Sequence, residues 1–453
     1  MRPRYIYNDI KNSMTIKTGN NFDLTQILFL ITIFTSSFDI FLVLNLGVNI
    51  RISQVTAMLF IGLVLLNFRR NIIYPLSFGW LVLWVVFIIA FTFNSSFLVL
   101  NISYTLWLLF NVFLVLACVR FYSIKNIINL IRWYIYSFVF VAAFGVIQFF
   151  SPLLGLGDFL LIQQWWIDGV LPRINGFSYE PSYFATYLIL GWVICAYLTK
   201  TKSNLFVSSN LKLYFFVITG AIILSSSRLG ILVIFVWYCQ YPFMLIRDLC
   251  NGYVRKKLVK LNFIFLIGVL LIGFFVSNLI ESDYSFLLNG TGLADTASHS
   301  VDDRYSGFQD TISLFMDSPY IGRGLAGIPV GIAESYGETN INFDTVKQYS
   351  GFSVFAEVLA ASGIFGFIPF AVYIISIIYK PYRLAREVSS EQADIIVALT
   401  LSLVFELFIL QFNQNILRPY LWIHIGVLSA CYSAFVRRGN KLNYLSVLSE
   451  VTN

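Results

Sequence analysis

The sequence predicts an all-α integral membrane protein of about twelve transmembrane helices with one large external loop. Three observations carry that prediction. Hydrophobic residues fill 58% of the 453 positions and charged residues only 12%, far from the mixture of a soluble globular domain. The apolar residues gather into twelve stretches, and a helix needs roughly 20 of them to cross the hydrocarbon core. All but seven of the 30 lysines and arginines sort onto alternate connections between those stretches, the bias expected of cytoplasmic loops.

In chain order the expected spans are about 22–44, 52–67, 74–93, 97–119, 131–150, 181–199, 213–227, 229–246, 262–280, 350–379, 395–412 and 419–436. Arg2, Arg4, Lys11 and Lys17 in the polar start place the N-terminus in the cytoplasm, and an even number of crossings returns the C-terminus there. The first apolar segment is too long for a cleavable signal peptide and lacks a small-residue cleavage pattern. Net charge +7 does not indicate nucleic acid, because the basic residues form short juxtamembrane clusters suited to anionic lipid headgroups. Cys118, Cys195, Cys239, Cys250 and Cys431 show no paired spacing and read as small apolar packers.

Within the single transmembrane domain, 1–453, two segments stand apart from the short turns. Residues 151–180 form an external amphipathic segment rich in aromatics, including Trp165 and Trp166, expected to lie against the membrane surface. Residues 281–349 form the large external loop. There, 304–317 places Tyr305, Phe308, Ile312 and Phe315 at helical spacing, with Arg304 in the first turn. Ser318-Pro319 ends that helix, and Gly322, Gly324 and Gly327 imply a tight turn.

The seven basic residues left on the outer face are Arg51, Arg173, Arg228, Arg304, Arg323, Lys347 and Arg418. Arg228 closes Leu224-Ser-Ser-Ser-Arg-Leu-Gly230 between two apolar stretches. A charge at the centre of a membrane helix costs about 3 kcal/mol, so Arg228 calls for a hydrated cavity, an acidic partner or an anionic ligand. Alternatively it marks a tight helical hairpin and snorkels to headgroups. Glu180 precedes Pro181, beside the positive end of a helix dipole. It serves there as a structural anion, as a partner of Arg173, or as a carboxylate able to accept a proton from a hydroxyl. Arg323, Arg418 and Tyr349 join the binding candidates, with interfacial anchoring as the alternative for the two arginines. Asn413, Gln414 and Asn415 are polar amides available to a ligand. Glu357 and Glu406 lie inside spans, where buried acids are functional or pair with an internal arginine.

His299 and His424 are too far apart for a familiar metal site, and no phosphate- or dinucleotide-binding glycine pattern occurs, so neither metal nor nucleotide cofactor is expected. Several arginines on one face match a multiply charged anion, because guanidinium forks bind phosphate oxygens bidentately and stay charged. A lipid-linked pyrophosphate fits: its tail lies in the bilayer, its headgroup reaches the arginines, and these offset charge on the leaving group.

These residues also carry a resemblance. Arg173-x-x-Gly176 followed by Glu180-Pro-Ser-x-Phe184, Ser227-Arg228-x-Gly230, and Arg304 leading a helix that ends in Pro319-x-x-Gly322-x-Gly324 ahead of a span with Glu357 and Gly363 resemble the membrane O-antigen polymerase and O-antigen ligase superfamily of bacterial envelope enzymes. The resemblance implies a fold related to the C-type (GT-C-like) membrane glycosyltransferases, in the bacterial cytoplasmic (inner) membrane. It implies polyprenyl-pyrophosphate-linked oligosaccharides as donor and acceptor, and a chain-length regulator among the candidate partners. Arg173, Arg228 and Arg304 would then bind pyrophosphate or glycan, and Glu180 would orient or deprotonate. Members resembling ligases carry a histidine late in the loop, whereas Asp344-Thr-Val-Lys-Gln-Tyr-Ser350 has none, which favours the polymerase branch. The competing readings are a ligase and a flippase for lipid-linked oligosaccharide. Against the flippase stand the long external loop and the lack of matched halves.

Overall fold

The structure is a computed structural model that describes residues 23–451 apart from 46–48, 67–72, 94–96, 125–126, 157–159, 168, 281–297, 347–348 and 413–415. The protein is an all-α integral membrane protein. Its helices are α1 (Leu24–Phe34), α2 (Ile52–Leu66), α3 (Phe78–Thr92), α4 (Leu98–Ile124), α5 (Ile127–Phe150), α6 (Pro181–Thr201), α7 (Ser208–Leu224), α8 (Arg228–Tyr238), α9 (Gln240–Cys250), α10 (Lys256–Ile280), α11 (Ser298–Asp317), α12 (Gly327–Ser335), α13 (Phe343–Val346), α14 (Val354–Leu384), α15 (Ser390–Ile409) and α16 (Pro419–Val451). Two short antiparallel hairpins interrupt them, β1 (Val43–Asn45) with β2 (Asn49–Arg51), and β3 (Gln164–Ile167) with β4 (Leu171–Arg173).

Every expected span from the second onward falls on helix, and seven of the described helical stretches are long and apolar enough to cross a membrane. The first does not run as one helix. α1 is 11 residues long, a rise of about 16 Å. It stops where Thr35 and Ser36 turn their hydroxyls back onto the carbonyls of Ile31 and Ile33, at 2.7 and 2.9 Å. Such back-bonding competes with continued helix, and Phe38 then leaves the axis to stack on Phe177 at 4.0 Å.

α6 and α16 form the centre of the bundle: 78% of each apolar window is buried inside the protein, against 17% for the run through α8 and α9. α15 lies along α6, α16 along α4, α14 along α3, and α7 against both α5 and α6. Close approach is built from small residues. A Cβ on Gly191 would sit 2.4 Å from the Phe138 ring, and one on Gly426 would meet Cys118 at 2.7 Å.

One junction couples the loop to the bundle. At Gly363 α14 leaves helical geometry (φ 58°, ψ −174°), freeing backbone groups that a bilayer cannot satisfy. The turn after α11 replaces the missing bonds. Arg323 and Gly324 donate their amides to the carbonyls of Ala360 and Ala361 at 3.1 and 2.9 Å, and Ile364 donates to Pro319 at 2.8 Å. Asn101 of α4, fully buried, locks the turn by donating to the Arg323 carbonyl at 3.1 Å and accepting from the Ala326 amide at 2.7 Å.

Candidate functional site

Contacts among Asp39, Arg51, Arg418 and Tyr183, and between Ile174 and Leu224, bring the ends of α1 and α7 to the starts of α2, α6 and α16, and Arg173, Glu180, Arg228 and Arg418 sit in or beside these junctions. Arg173 closes β4 and donates to Gln164 Oε1 at 3.1 Å across the hairpin and to the Ser226 carbonyl at 3.5 Å. The segment behind it is held from below by Gln148 of α5, which is fully buried. Gln148 Oε1 accepts from the amides of Asn175 and Gly176 at 3.0 and 2.9 Å, while Nε2 donates to Leu160 O and Asn175 Oδ1 at 2.7 and 3.1 Å. The 151–180 segment therefore divides into an outer hairpin and an inner stretch, 174–178, packed into the bundle. Gln148→Leu would leave two buried amides unpaired, each costing about 1–3 kcal/mol. We expect it to lower the thermal unfolding midpoint of the detergent-solubilised protein by several degrees.

Glu180 is the N-cap residue of α6 in extended conformation, yet its carboxylate makes no cap bond; it accepts from Ser182 Oγ at 2.9 Å. Nor does it ion-pair with Arg173, whose two terminal nitrogens are directed elsewhere and whose Nε is buried without a partner among the described residues. The carboxylate stays at the mouth of the helix. Ser225-Ser226-Ser227 separates α7 from α8, with Ser226 left-handed (φ 51°) and Ser227 accepting from the Gly230 amide at 3.4 Å. Arg228 is thus the first residue of α8 and is exposed, not sunk within a span, because the chain breaks immediately before it.

Arg304 arrives from α11, whose packed face is only in part the expected one: Phe315 packs against the core and Ile312 is half-buried. Tyr305 is 63% exposed and Phe308 is also exposed, whereas Gly307, Thr311 and Leu314 are buried. A Cβ on Gly307 would lie 2.7 Å from the Ser350 carbonyl, so the small residue lets α11 rest on the strap 350–352. Glu357 holds that strap, accepting from the Gly351 amide at 3.0 Å. It supports the helix that carries Arg304 and does not pair with an arginine.

These groups sense one another without touching. Burial lowers Arg304 from its ordinary value and Arg228 adds to that, while Glu180 and Tyr183 oppose it. Arg173 is lowered by burial and then by Arg228, with Glu180 opposing. Among the described residues neither Arg228 nor Arg304 forms an ion pair. Arg173 and Arg304 each reach both Arg228 and Glu180, so three guanidiniums and one carboxylate share a neighbourhood whose excess positive charge suits a multiply charged anion.

A second group stands on the other side of Tyr183. The Asp39 carboxylate lies 3.0 Å from Arg51 Nη2 and 3.3 Å from Arg418 Nη1, and the Arg418 guanidinium lies over the Tyr183 ring, 4.6 Å from its centroid. Burial works against the Arg418 charge, but Asp39, then Tyr420 and Tyr183, outweigh it and hold the group above its ordinary value. The sequence reading missed Asp39, which falls inside the stretch read as one continuous span, and left Arg51 without a role.

The remaining candidates lie elsewhere. Arg323 pairs with Asp317 at 2.9 Å, and Tyr349 donates to Glu338 at 3.1 Å while stacking on Tyr336. Neither touches the Glu180 group. Glu406 is fully buried near the end of α15, within electrostatic reach of Tyr134 and Tyr420, and makes no hydrogen bond among the described residues. His424 sits between Tyr134 Oη (3.0 Å) and the Leu399 carbonyl (2.9 Å), deep in the bundle. Lys347 and 413–415 lie outside the described residues, as do the side chains of His299, Asp302 and Asp303.

Residues 213–371 match the family model described as O-antigen ligase. That stretch holds Arg228, Arg304, Glu357 and Gly363; Arg173 and Glu180 precede it. No curated protein matches the chain.

Proposed function

We propose that this chain, a multi-pass membrane enzyme of the O-antigen ligase and polymerase superfamily, polymerises polyprenyl-pyrophosphate-linked oligosaccharide repeats at the outer face of the bacterial cytoplasmic membrane. The family acts on lipid-linked oligosaccharides, which supplies the substrate class. What supports the reading is that Arg173 and Arg304 both lie within electrostatic reach of the Glu180 carboxylate and of the Arg228 guanidinium.

In this reaction the donor diphosphate lies among the three guanidiniums with its lipid tail in the bilayer. The hydroxyl of the acceptor's terminal sugar attacks the anomeric carbon of the donor, and its proton passes to Glu180. The bond from that carbon to the diphosphate oxygen breaks, and polyprenyl diphosphate leaves with its electron pair. The guanidiniums stabilise the charge that grows on the leaving oxygen and require no metal ion for the purpose. The lack of a histidine in 344–350 supports polymerase over ligase.

Reconstitution with a defined polyprenyl-pyrophosphate repeat unit tests this. The expected result is a ladder of products that differ by one repeat. Product found only on an added core lipid would establish a ligase, and movement of intact substrate between leaflets without bond formation would establish a flippase.

A further inference from the structure

We propose that Asp39 is a positioning residue for this site, holding Arg418 flat against Tyr183 and so keeping its guanidinium off Glu180. The inference rests on the functional reading above, in which Glu180 must remain free to take a proton.

Asp39 is well placed for that role. No Asp or Glu occurs from 40 to 157, so the helices α2 to α5 offer Arg51 and Arg418 no other acid. Its side chain is only 10% exposed. Its backbone is anchored by the Asp39 and Ile40 amides, which both donate to the Phe177 carbonyl at 2.9 and 3.2 Å. Ser178 Oγ adds a bond to the Ser37 carbonyl at 3.2 Å, so the loop after α1 is tied to the stretch that leads into Glu180. Two arginines converge on this one carboxylate, from the start of α2 and the start of α16.

Without that carboxylate, Arg51 and Arg418 would face each other as like charges in a poorly hydrated place. Arg418 would then turn to the next anion within reach. Glu180 lies within electrostatic reach of Arg418, and Tyr183, one turn into α6, stands within reach of both. An Arg418–Glu180 ion pair would occupy the oxygen that must accept the hydroxyl proton. Asp39 therefore acts through Arg418, with no contact to the reacting atoms required.

The test uses the full-length protein reconstituted with the lipid-linked repeat, with rates normalised to folded enzyme by size-exclusion chromatography. Asp39→Asn keeps the shape and removes the charge, and we expect kcat to fall about tenfold. Asp39→Glu should retain kcat within about threefold, because the carboxylate that both arginines pair with survives. Asp39→Asn/Arg418→Gln should be more active than Asp39→Asn alone, since the released guanidinium is gone. Repulsion between the two arginines would be relieved equally by removing Arg51, so Asp39→Asn/Arg51→Gln is the control, and it should stay as slow as Asp39→Asn because Arg418 is still released. Where Asp39→Asn folds poorly, the comparison of Asp39→Glu with Asp39→Asn/Arg418→Gln still decides. Wild-type kcat in Asp39→Asn, an Asp39→Asn/Arg418→Gln variant less active than the single, or equal relief from Arg51→Gln would overturn the proposal. Glu180→Gln in the same series separates the two readings: full activity there removes Glu180 and the functional reading with it, whereas loss there beside an unaffected Asp39→Asn removes this inference alone.

Discussion

Replacing Arg228 by alanine is expected to lower glycosyl transfer by about 10²- to 10³-fold, the scale for removing one preorganised group from a developing oxyanion. The structure makes the result interpretable. Arg228 is exposed at the first position of α8 and, among the described residues, holds no ion pair that the fold depends on. The variant should therefore accumulate and unfold like the parent, and the loss should appear in turnover at equal amounts of folded protein. Arg228→Lys keeps a charge but not the planar fork, and should recover only part of the rate. Full activity in Arg228→Ala would remove this arginine from the mechanism.

Gly363→Ala is expected to be the most damaging small substitution for stability. A Cβ there would lie 2.4 Å from the carbonyl carbon and oxygen of Tyr320, and the residue sits at φ 58°, where an L side chain is strained. Backbone cannot swing aside as a side chain end can. Strain and overpacking each cost about 1–3 kcal/mol, and both apply here. The splice between α14 and the turn after α11 would open, and α11 would lose its seat. Thermal unfolding in detergent should show a clear drop for Gly363→Ala. Gly220→Ala, in α7 with nothing within 4 Å of its Cβ, should stay within about 1 kcal/mol of the parent. Equal behaviour of the two variants would contradict the close approach at Gly363.

The two results probe different levels of the chain. Arg228 was legible as a candidate because a lone charge between apolar stretches is conspicuous, and Gly363 belonged to a readable motif. Their settings were not legible. The break before Arg228 was drawn from the sequence, but nothing local says that Arg173 and Arg304 come within electrostatic reach of it. Nothing local says that the carbonyls freed at Gly363 are satisfied by amides some forty residues earlier in the chain.

By itself the sequence determined the membrane class, the helical spans from the second onward and the arginines worth following. Those are consequences of desolvation: a long apolar run in lipid must close its own backbone hydrogen bonds, and a charge within one is conspicuous because it is costly. Tertiary structure alone decided which of these groups share a site. It cut the first apolar stretch at Thr35, turned Tyr305 and Phe308 of α11 outward while Gly307 approached the strap, and paired Arg51 and Arg418 on an acid hidden in that first stretch. The physical reason is that such choices depend on close contact between segments far apart in the chain, where one small residue or one carboxylate outweighs local pattern.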